Sequence, residues 1–396
     1  MKLNKLAYAL WLPSSYPSKI EPYDGDFIQR HAQAASAFIP VHVLYFVRDK
    51  GKRFTRSIDV EEQQKGNLVE TIVYYATRDS AIGIIDQFFS MYQFRKLYKK
   101  TITDLFSSRG LPKVVHVHIA FKAGIVATWI KKKYEIPFFL SEHSTIYLTE
   151  ARPNLQQLGI LKKYLISRII SKASKVFCVS DYLGKAMKRK WPSINYKVIP
   201  NVVDTRLFYP AASVTHKAHS LIHISNLNYQ KNPQALFAAM KILKDRGIEF
   251  SLEVFGVRDG DVEALANKHG VEGQINFHEE VPQQILAQHL RNADLLILFS
   301  RYETFGCVII EANACGVPVV VADMPVMHEL VTHNRNGVLV KPQTAAALAE
   351  SVINIIHRKV EFNKNEIVAT VSMYDYSAVG KMFLDEYVSF DNTEDG

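Results

Sequence analysis

The sequence predicts an α/β protein of two successive domains, each with a parallel sheet flanked by helices. Short apolar and β-branched runs alternate with helix-spaced segments along most of the chain, which is typical of consecutive strand–helix units. The length of 396 residues is enough for two domains with a core each. Charge is also divided: residues 1–200 hold 32 Lys and Arg against 15 Asp and Glu, and the remaining residues hold 16 against 24.

The first series of elements covers residues 1–200, which we assign to an N-terminal domain. A Pro-, Ser- and Gly-rich stretch predicts a loop at 13–26, and a polar, charged stretch predicts an exposed excursion at 51–64. Ser180 and Asp181 can cap a helix that follows the sixth strand. The predicted strands are 6–12, 40–46, 69–75, 114–117, 138–140, 176–179 and 197–199, and the predicted helices are 27–38, 88–106, 121–134 and 154–174. In the last helix, four apolar residues at three- and four-residue steps form one face: Leu158, Leu161, Leu165 and Ile169.

The second series begins at residue 221, and we assign residues 201–371 to a second domain. The turn-forming sequence Pro-Asn-Val-Val-Asp at 200–204 separates the two series. The predicted strands are 221–224, 251–255, 275–277, 295–298 and 319–321, and the predicted helices are 233–246, 262–269 and 283–292. A further helix is predicted at 376–388.

Composition excludes several classes of protein. Cys178, Cys307 and Cys315 are an odd number without CxxC spacing, which favours a reducing compartment and buried thiols over a disulfide frame or a zinc site. No apolar run approaches the roughly 20 residues of a membrane helix. The basic start and short apolar stretch before Pro13 predict a first strand rather than a signal peptide. The absence of a Walker P-loop and of an opening GxGxxG motif weighs against an ATPase or a dehydrogenase.

One strand–loop–helix–turn–strand unit, residues 293–323, carries the best candidate chemistry. Glu303 lies in its loop and Glu311 in its helix, with Gly306 between them near the helix start. Two such carboxylates can accept hydrogen bonds from sugar hydroxyls, and free amides beside a glycine favour anions. Two glutamates that only cap and solubilise a surface helix remain an alternative from these residues alone.

The spacing in this unit resembles a known family. Glu303, seven residues, Glu311 and then Ala-x-Ala-x-Gly-x-Pro-Val at 312–319 are similar to the donor-site signature of retaining family 4 glycosyltransferases of the GT-B fold. The resemblance implies two Rossmann-like domains with an interdomain cleft. It also implies that a C-terminal helix, within residues 372–390, packs back on the first domain.

The resemblance implies a role for several residues of the second domain. Glu311 would bind the ribose of a nucleotide-diphosphate sugar, and Glu303 would bind the sugar hydroxyls. Lys231 would stabilise the departing diphosphate. Asn226 stands where the family usually has Arg, so one positive charge is missing there. Other donor contacts would come from the amides of Thr304, Phe305 and Gly306, from a loop at Gly256 and from a base-reading segment that includes Val281.

Two loops of the first domain match the family in the same way. His143, in Ser-Glu-His-Ser after a strand, would face the donor sugar, although most isolated histidines are structural. Gly25, before a helix, would bring the backbone close to donor phosphate and acceptor, or is an ordinary turn glycine. The sequence around Gly25 spells Asp-Gly-Asp, yet the resemblance implies no obligatory metal. His116 and His118 alternate on one strand, but no third ligand is evident, so a structural or acceptor-side role is favoured.

The missing charge at Asn226 has two candidate replacements, Arg301 and Arg258, and either is equally well explained as a surface residue.

Basic clusters lie in the first domain at 131–133, 162–163 and 185–190, near aromatic residues. They favour an anionic membrane that carries a lipid-linked acceptor over nucleic acid, since no nucleic-acid motif accompanies them.

These observations and the resemblance together predict an enzyme of the cytoplasm, with a peripheral position on the inner face of the membrane included in that prediction. It would be a retaining glycosyltransferase that transfers a hexose-type sugar from a nucleotide-diphosphate sugar to a glycan or lipid-linked acceptor in cell-surface polysaccharide assembly. No cofactor is expected beyond the donor substrate. Two alternatives stay open: a sugar-nucleotide binding protein of the same shape without turnover, and a sugar-nucleotide epimerase.

Overall fold

The structure, a computed structural model, describes residues 8–49, 58–76, 83–211, 218–256 and 261–394. Within these ranges the chain forms two sheets, each covered by helices on both faces. This arrangement confirms the predicted α/β fold with two Rossmann-like domains. The described helices include none that is both long and apolar enough to span a membrane.

The first sheet has eight strands in the order β3-β4-β2-β1-β5-β6-β7-β8 among the described residues. Neighbouring strands pair in parallel, except that β3 pairs with β4 in antiparallel fashion. The strands are β1 (Ala9–Pro13), β2 (Val41–Asp49), β3 (Ile58–Lys65), β4 (Leu68–Ala76), β5 (Val114–His118), β6 (Phe138–Glu142), β7 (Lys175–Cys178) and β8 (Tyr196–Val198). The helices of this half are α1 (Asp26–Ser36), α2 (Gly83–Arg109), α3 (Ala123–Tyr134), α4 (Ile160–Lys172) and α5 (Asp181–Lys190).

The second sheet is parallel throughout, with the order β11-β10-β9-β12-β13-β14. Its strands are β9 (His219–Ile224), β10 (Phe250–Phe255), β11 (Ile275–His278), β12 (Leu295–Leu298), β13 (Val319–Ala322) and β14 (Gly337–Val340). The remaining helices are α6 (Pro233–Asp245), α7 (Asp261–His269), α8 (Gln283–Arg291), α9 (Cys307–Ala314), α10 (Ala345–Ile356), α11 (Lys364–Ala369) and α12 (Tyr376–Glu394). Central strands are buried on both faces, as in β12, so they read as continuous apolar runs.

Three local predictions differ from the structure. The polar segment at 51–64 is not only an excursion: its described part is the edge strand β3, whose side chains are largely exposed because one face and one edge meet solvent. The helix predicted at 154–174 begins only at Ile160, after a short 3₁₀ turn and an extended Gly159. Its predicted apolar face is confirmed at Ile169, which is buried with Ile166 and Ile170, but it is wrong at Leu161, which is 69% exposed. Strand β14 and the helices α10 and α11 were not predicted, although the apolar run of β14 is as long as those of β12 and β13.

Capping and burial follow the sequence more closely. Ser180 Oγ accepts a hydrogen bond from the amide of Leu183 at 3.2 Å, which caps α5 as expected. Cys178 and Cys315 are buried and Cys307 is partly buried, and all three are free thiols.

Helix α12 returns from the second half of the chain and packs on α1 of the first. Tyr387 accepts a hydrogen bond from the Trp11 indole at 3.1 Å and lies 2.6 Å from Nδ1 of His116. Glu386 pairs with Lys175 at 2.9 Å and also with Lys197. The chain thus crosses between the halves twice, at 198–204 and at 374–376, and the two crossings touch where the Val203 amide donates to the Tyr374 carbonyl at 2.9 Å.

The contact between α1 and α12 is close enough to require a glycine. A Cβ at Gly380 would lie 2.3 Å from the carbonyl oxygen of Ala34. We predict that Gly380→Ala lowers the free energy of unfolding by about 1–3 kcal/mol, since overpacking outweighs the better helix propensity of alanine. Gly273→Ala, where nothing lies within 4 Å of the new Cβ, is the matched control. Urea unfolding measures both, and a Gly380→Ala protein as stable as wild type would contradict the packing argument.

His223 is buried in the centre of the second sheet. Its Nδ1 donates to the Ile297 carbonyl at 2.8 Å, and its Nε2 lies 2.7 Å from Ser225 Oγ. Burial lowers the pKa of His223 from 6.5 to about 4. The folded protein therefore holds this imidazole neutral in a pH range where the unfolded chain protonates it.

This difference predicts acid sensitivity with a definite sign. Because the unfolded state binds the extra proton, stability is complete above pH 6.5 and is lost progressively as the pH falls towards 4. At pH 5 the loss from His223 alone is about 2 kcal/mol by this linkage. Urea unfolding at pH 7.5 and 5.0 should show a smaller pH-dependent loss for His223→Gln than for wild type. An equal loss in both proteins would remove His223 from the explanation.

Candidate active site

A cavity of about 400 Å³ lies between the two sheets, where loops leave the carboxyl ends of the strands. In parallel sheets these ends are where ligands bind, because the loops there are free of strand pairing. Ten of the sequence-predicted site residues line this one cavity: His143, Asn226, Lys231, Gly256, Val281, Glu303, Thr304, Phe305, Gly306 and Glu311.

Glu303 sits in the loop after β12 and is only 5% exposed. Its carboxylate accepts hydrogen bonds from Lys231 Nζ at 2.5 Å, Ser300 Oγ at 2.8 Å and Gln230 Nε2 at 3.0 Å. Lys231 and Gln230 belong to the loop after the neighbouring strand β9, so two adjacent strand ends build this contact. Three hydrogen bonds therefore fix the carboxylate inside the cavity.

Glu311 lies two turns into α9 and is 3% exposed. Its Oε1 accepts a hydrogen bond of 2.7 Å from Nη1 of Arg30, which comes from α1 of the other domain. Arg30 also donates to Asp26 at 3.1 Å and to the Val202 carbonyl at 3.1 Å. Burial raises the pKa of Glu311, and Arg30 acts against that rise. For Arg30 itself, burial acts to lower the pKa, but Asp26 and Glu311 outweigh it and raise the pKa above its ordinary value.

The start of α9 between these carboxylates offers free amides. Gly306 precedes the helix with φ of +115°, a conformation that side chains disfavour, and no side chain caps the helix. The first turn carries no acidic residue. Uncapped amides and the helix dipole favour an anion here.

Gly256 holds the backbone of two strand ends together. It has φ of +136°, and a Cβ there would lie 2.2 Å from the Ser225 carbonyl oxygen. The loop that carries Asn226 is thereby kept close to the end of β10. Only glycine fits this approach, which is a structural reason for the Gly-containing loop.

His143 faces the cavity from the first domain. It follows β6, and the buried Glu142 fixes its loop by accepting hydrogen bonds from the amides of His143 at 3.2 Å and Ala120 at 2.8 Å. Thr304 Oγ1 donates to the His143 carbonyl at 3.0 Å, which joins the loops of the two domains. Burial holds the pKa of His143 well below its usual value, so the imidazole is neutral at pH 7.

His143 belongs to a buried group of three histidines that the sequence did not reveal. Candidate ligand atoms of His31, His118 and His143 all lie within 4.8 Å of one another, and His118 Nδ1 is 3.4 Å from His143 Nε2. These three could hold a metal ion. His116 takes no part, since its nitrogens contact Tyr387 and, at 2.8 Å, Ser141 Oγ. The third member, His31, lies on α1, and nothing in its own segment indicated a partnership with the His-Val-His strand.

Gly25 does not itself line the cavity. It precedes α1 with φ of +69°, and a Cβ there would lie 2.5 Å from the Ser15 carbonyl. The glycine therefore lets α1 begin against the loop after β1, and the α1 residues Asp26 and Arg30 line the cavity instead.

The two arginines proposed to replace the missing charge differ in position. Arg301 donates to the Tyr229 carbonyl at 2.5 Å and stacks on the Tyr229 ring, and it is not among the lining residues. Arg258 lies outside the described residues. Arg30, which sequence reasoning missed, is the arginine that reaches the cavity. The only sequence feature that pointed to Arg30 was its position one turn into the helix that follows Gly25.

Comparisons with known proteins cover both halves of the chain. The family model described as Glycosyltransferase Family 4 matches residues 13–207. The model described as Glycosyl transferases group 1 matches residues 210–368.

Named relatives and a solved structure agree with these matches. A D-inositol 3-phosphate glycosyltransferase of Arthrobacter sp. (strain FB24) is 30% identical over 167 residues, which are 39% of this chain and only 40% of that protein. A Bacillus subtilis (strain 168) protein assigned to teichuronic acid biosynthesis as glycosyltransferase TuaC is 24% identical over 380 residues, 89% of this chain and 90% of that protein. The Anabaena protein HepE, solved in complex with UDP-glucose, has a TM-score of 0.71 at 18% identity, over 97% of this chain and 100% of that chain. At that identity the structural likeness shows the fold alone. The sequence matches and the fold together establish that this chain belongs to the family 4, group 1 glycosyltransferases of the GT-B fold.

Proposed function

We propose that the protein is a retaining glycosyltransferase that uses a nucleotide-diphosphate sugar and acts on a glycan or lipid-linked acceptor in cell-surface polysaccharide assembly. The observation that carries the proposal is the convergence of Glu303, Glu311 and Lys231 in one interdomain cavity. Glu303 and Glu311 come from one strand–loop–helix unit and Lys231 comes from the loop after a neighbouring strand, and a pair of surface glutamates would have no reason to meet a lysine there.

The donor would lie along the carboxyl ends of the second sheet. Its base would rest near Gly256 and Val281, and its ribose hydroxyls would reach Glu311. The phosphates would then fall near the free amides at Gly306 and near Lys231. This order places the sugar next to Glu303.

The chemistry needs a group that stabilises the leaving diphosphate. The bond between the anomeric carbon and the phosphate oxygen breaks, and the bonding electrons leave with the diphosphate. Lys231, partly buried beside Glu303, can neutralise this charge. His143 is neutral and can donate or accept one hydrogen bond at the sugar without adding charge. The proposal includes retention of configuration and no obligatory metal.

The relatives support the substrate class. HepE, which shares the fold, was solved with UDP-glucose, and TuaC is named as a putative glycosyltransferase of teichuronic acid biosynthesis. A nucleotide-diphosphate sugar as donor is therefore consistent with the fold, and a biosynthetic glycosyl transfer is consistent with the match to TuaC.

A groove on the first domain fits a lipid-linked acceptor. It has a volume of about 1030 Å³, and its lining combines apolar and basic side chains with no acidic one among the described residues. Ile160 and Leu161, at the start of α4, are 84% and 69% exposed. Exposed apolar side chains beside Lys162 and Lys96 match the chemistry of an anionic membrane surface.

Transfer assays test the proposed reaction. The assays use a panel of nucleotide sugars as donors and extracted lipid-linked molecules as acceptors. Glu303→Ala and Lys231→Ala should each lower kcat/KM by about 100-fold or more, because each removes a contact that stabilises charge. Activity should persist with a chelator in the buffer. Lys241→Ala, which removes an exposed pair with Asp245 in the same domain, should retain full activity.

NMR of the product measures whether the anomeric configuration of the donor is retained. An inverted anomeric centre would contradict the retaining mechanism. Full activity in Glu303→Ala or in Lys231→Ala would remove that residue from the mechanism.

Vesicle sedimentation tests the membrane surface. Wild type should bind phosphatidylglycerol vesicles more tightly than phosphatidylcholine vesicles, and less tightly at high salt. The double variant Ile160→Ser with Leu161→Ser should bind at least about tenfold more weakly, because two exposed apolar side chains are lost. Met373→Ser, 52% exposed in the second half of the chain, is the control. Equal binding of the double variant and wild type would contradict this surface.

A further inference from the structure

Both carboxylates expected to hold the donor are occupied by cations in the structure. Lys231 Nζ lies 2.5 Å from Glu303, and Arg30 Nη1 lies 2.7 Å from Glu311. The Arg30 and Glu311 side chains are only 6% and 4% exposed. A donor whose hydroxyls take the carboxylate oxygens that these cations hold therefore displaces Arg30, which is buried, and Lys231, which is partly buried.

The charged residues that line the cavity indicate which group the displaced cations would bind. Among the described lining residues the cations are Arg30 and Lys231, and the carboxylates are Asp26, Glu280, Glu303 and Glu311. A diphosphate brings further negative charge into this acidic cavity. Asn226 can donate a hydrogen bond but cannot neutralise charge, so one lysine alone would face the whole diphosphate.

Arg30 lies close to the start of α9, where a second cation would contact the diphosphate. It lies beside Cys307, the first residue of α9, where it counteracts the effect of burial on the thiol pKa. A positive charge next to a helix N-terminus is unfavourable unless an anion lies between them. The Nε of Arg30 is buried and has no hydrogen-bond partner among the described residues. Both features are satisfied when a phosphate binds between the guanidinium and the amides at Gly306.

We propose that Arg30 is a phosphate-binding residue of the donor site, held by Glu311 until the donor arrives. The ribose hydroxyls replace Arg30 at Glu311, and the guanidinium turns the edge that carries Nε and Nη2 to the diphosphate. This proposal rests on the proposed function and assigns a further residue to the same site. The exchange involves no covalent step, and the donor enters by replacing one set of charge-assisted hydrogen bonds with another.

The exchange avoids a buried unpaired charge at every stage. Removing one partner of a buried ion pair is strongly unfavourable, but here each released cation gains a phosphate. Nη2 carries two hydrogens, so Arg30 keeps its hydrogen bond of 3.1 Å to Asp26 while the second Nη2–H faces the phosphate. The Nε–H and that Nη2–H lie on one edge of the planar guanidinium, which suits a phosphate with two parallel hydrogen bonds. Since Arg30 belongs to the first domain, donor binding also ties the two domains together.

Calorimetric titration tests the exchange with wild type, Arg30→Gln and Arg30→Lys. UDP, GDP, ADP and TDP are titrated first, and the tightest binder is then compared with its monophosphate and its nucleoside. Arg30→Gln should weaken diphosphate binding by about 10- to 100-fold, the usual size of a hydrogen bond to a charged group. Nucleoside binding should be unchanged or tighter, because Glu311 no longer has to release Arg30. Arg246→Gln, which removes an exposed pair with Glu350, is the control and should match wild type.

The ratio of diphosphate to nucleoside affinity separates the outcomes. An equal loss for both ligands in Arg30→Gln would mean that Arg30 only supports the fold and would overturn the proposal, as would unchanged diphosphate binding. If Arg30→Gln does not fold by circular dichroism, Arg30→Lys decides. It keeps the charge but loses the paired donors, so its ratio must fall below that of wild type. Failure of wild type to bind any of the diphosphates would instead refute the proposed function.

Discussion

The two domains of this protein meet across polar contacts, and the central one is a buried ion pair. Arg30 of α1 reaches Glu311 of α9, and Gln283 Nε2 donates to Asp26 at 2.9 Å. On the other side of the cleft, Glu329 accepts hydrogen bonds from the amides at the start of α5, at 2.8 and 2.7 Å. A buried ion pair adds little net stability, because desolvation offsets the attraction. The interface is therefore specific without being strongly adhesive, which suits a cleft that must open and close around a substrate.

The same principle explains the chemistry of the cavity. Two of its carboxylates, Glu303 and Glu311, are paired with cations, while burial holds the pKa of His143 well below its usual value. Glu303 has three donors around it, so it can exchange one of them for a sugar hydroxyl without becoming an unpaired charge. A site arranged in this way binds polar substrates by substitution of hydrogen bonds, and each substitution is reversible because the partners are already positioned.

Helix α12 gives the first domain a feature that its own sequence lacks. Phe383 and Tyr387 pack around Trp11 and His116, so the core of the first sheet is completed by residues that follow the second sheet in the chain. The two crossings between the domains touch at Val203 and Tyr374. Because the two interdomain segments contact each other, they fix the point at which the domains are joined. The loops of the two domains can then face each other across the cavity.

The sequence by itself determined the elements and one half of the site. Alternating apolar runs specified the strands and helices because burial on a sheet depends on local period, and Glu303, Gly306 and Glu311 came together because they lie in one strand–loop–helix unit. It missed β14, α10 and α11, and it failed where an exposed apolar side chain was taken for part of a buried face, as at Leu161 in α4. Only the tertiary structure decided that His31 joins His118 and His143, and that Arg30 meets Glu311 across 281 residues of chain. Such contacts depend on how two sheets face each other, and no local spacing records that geometry.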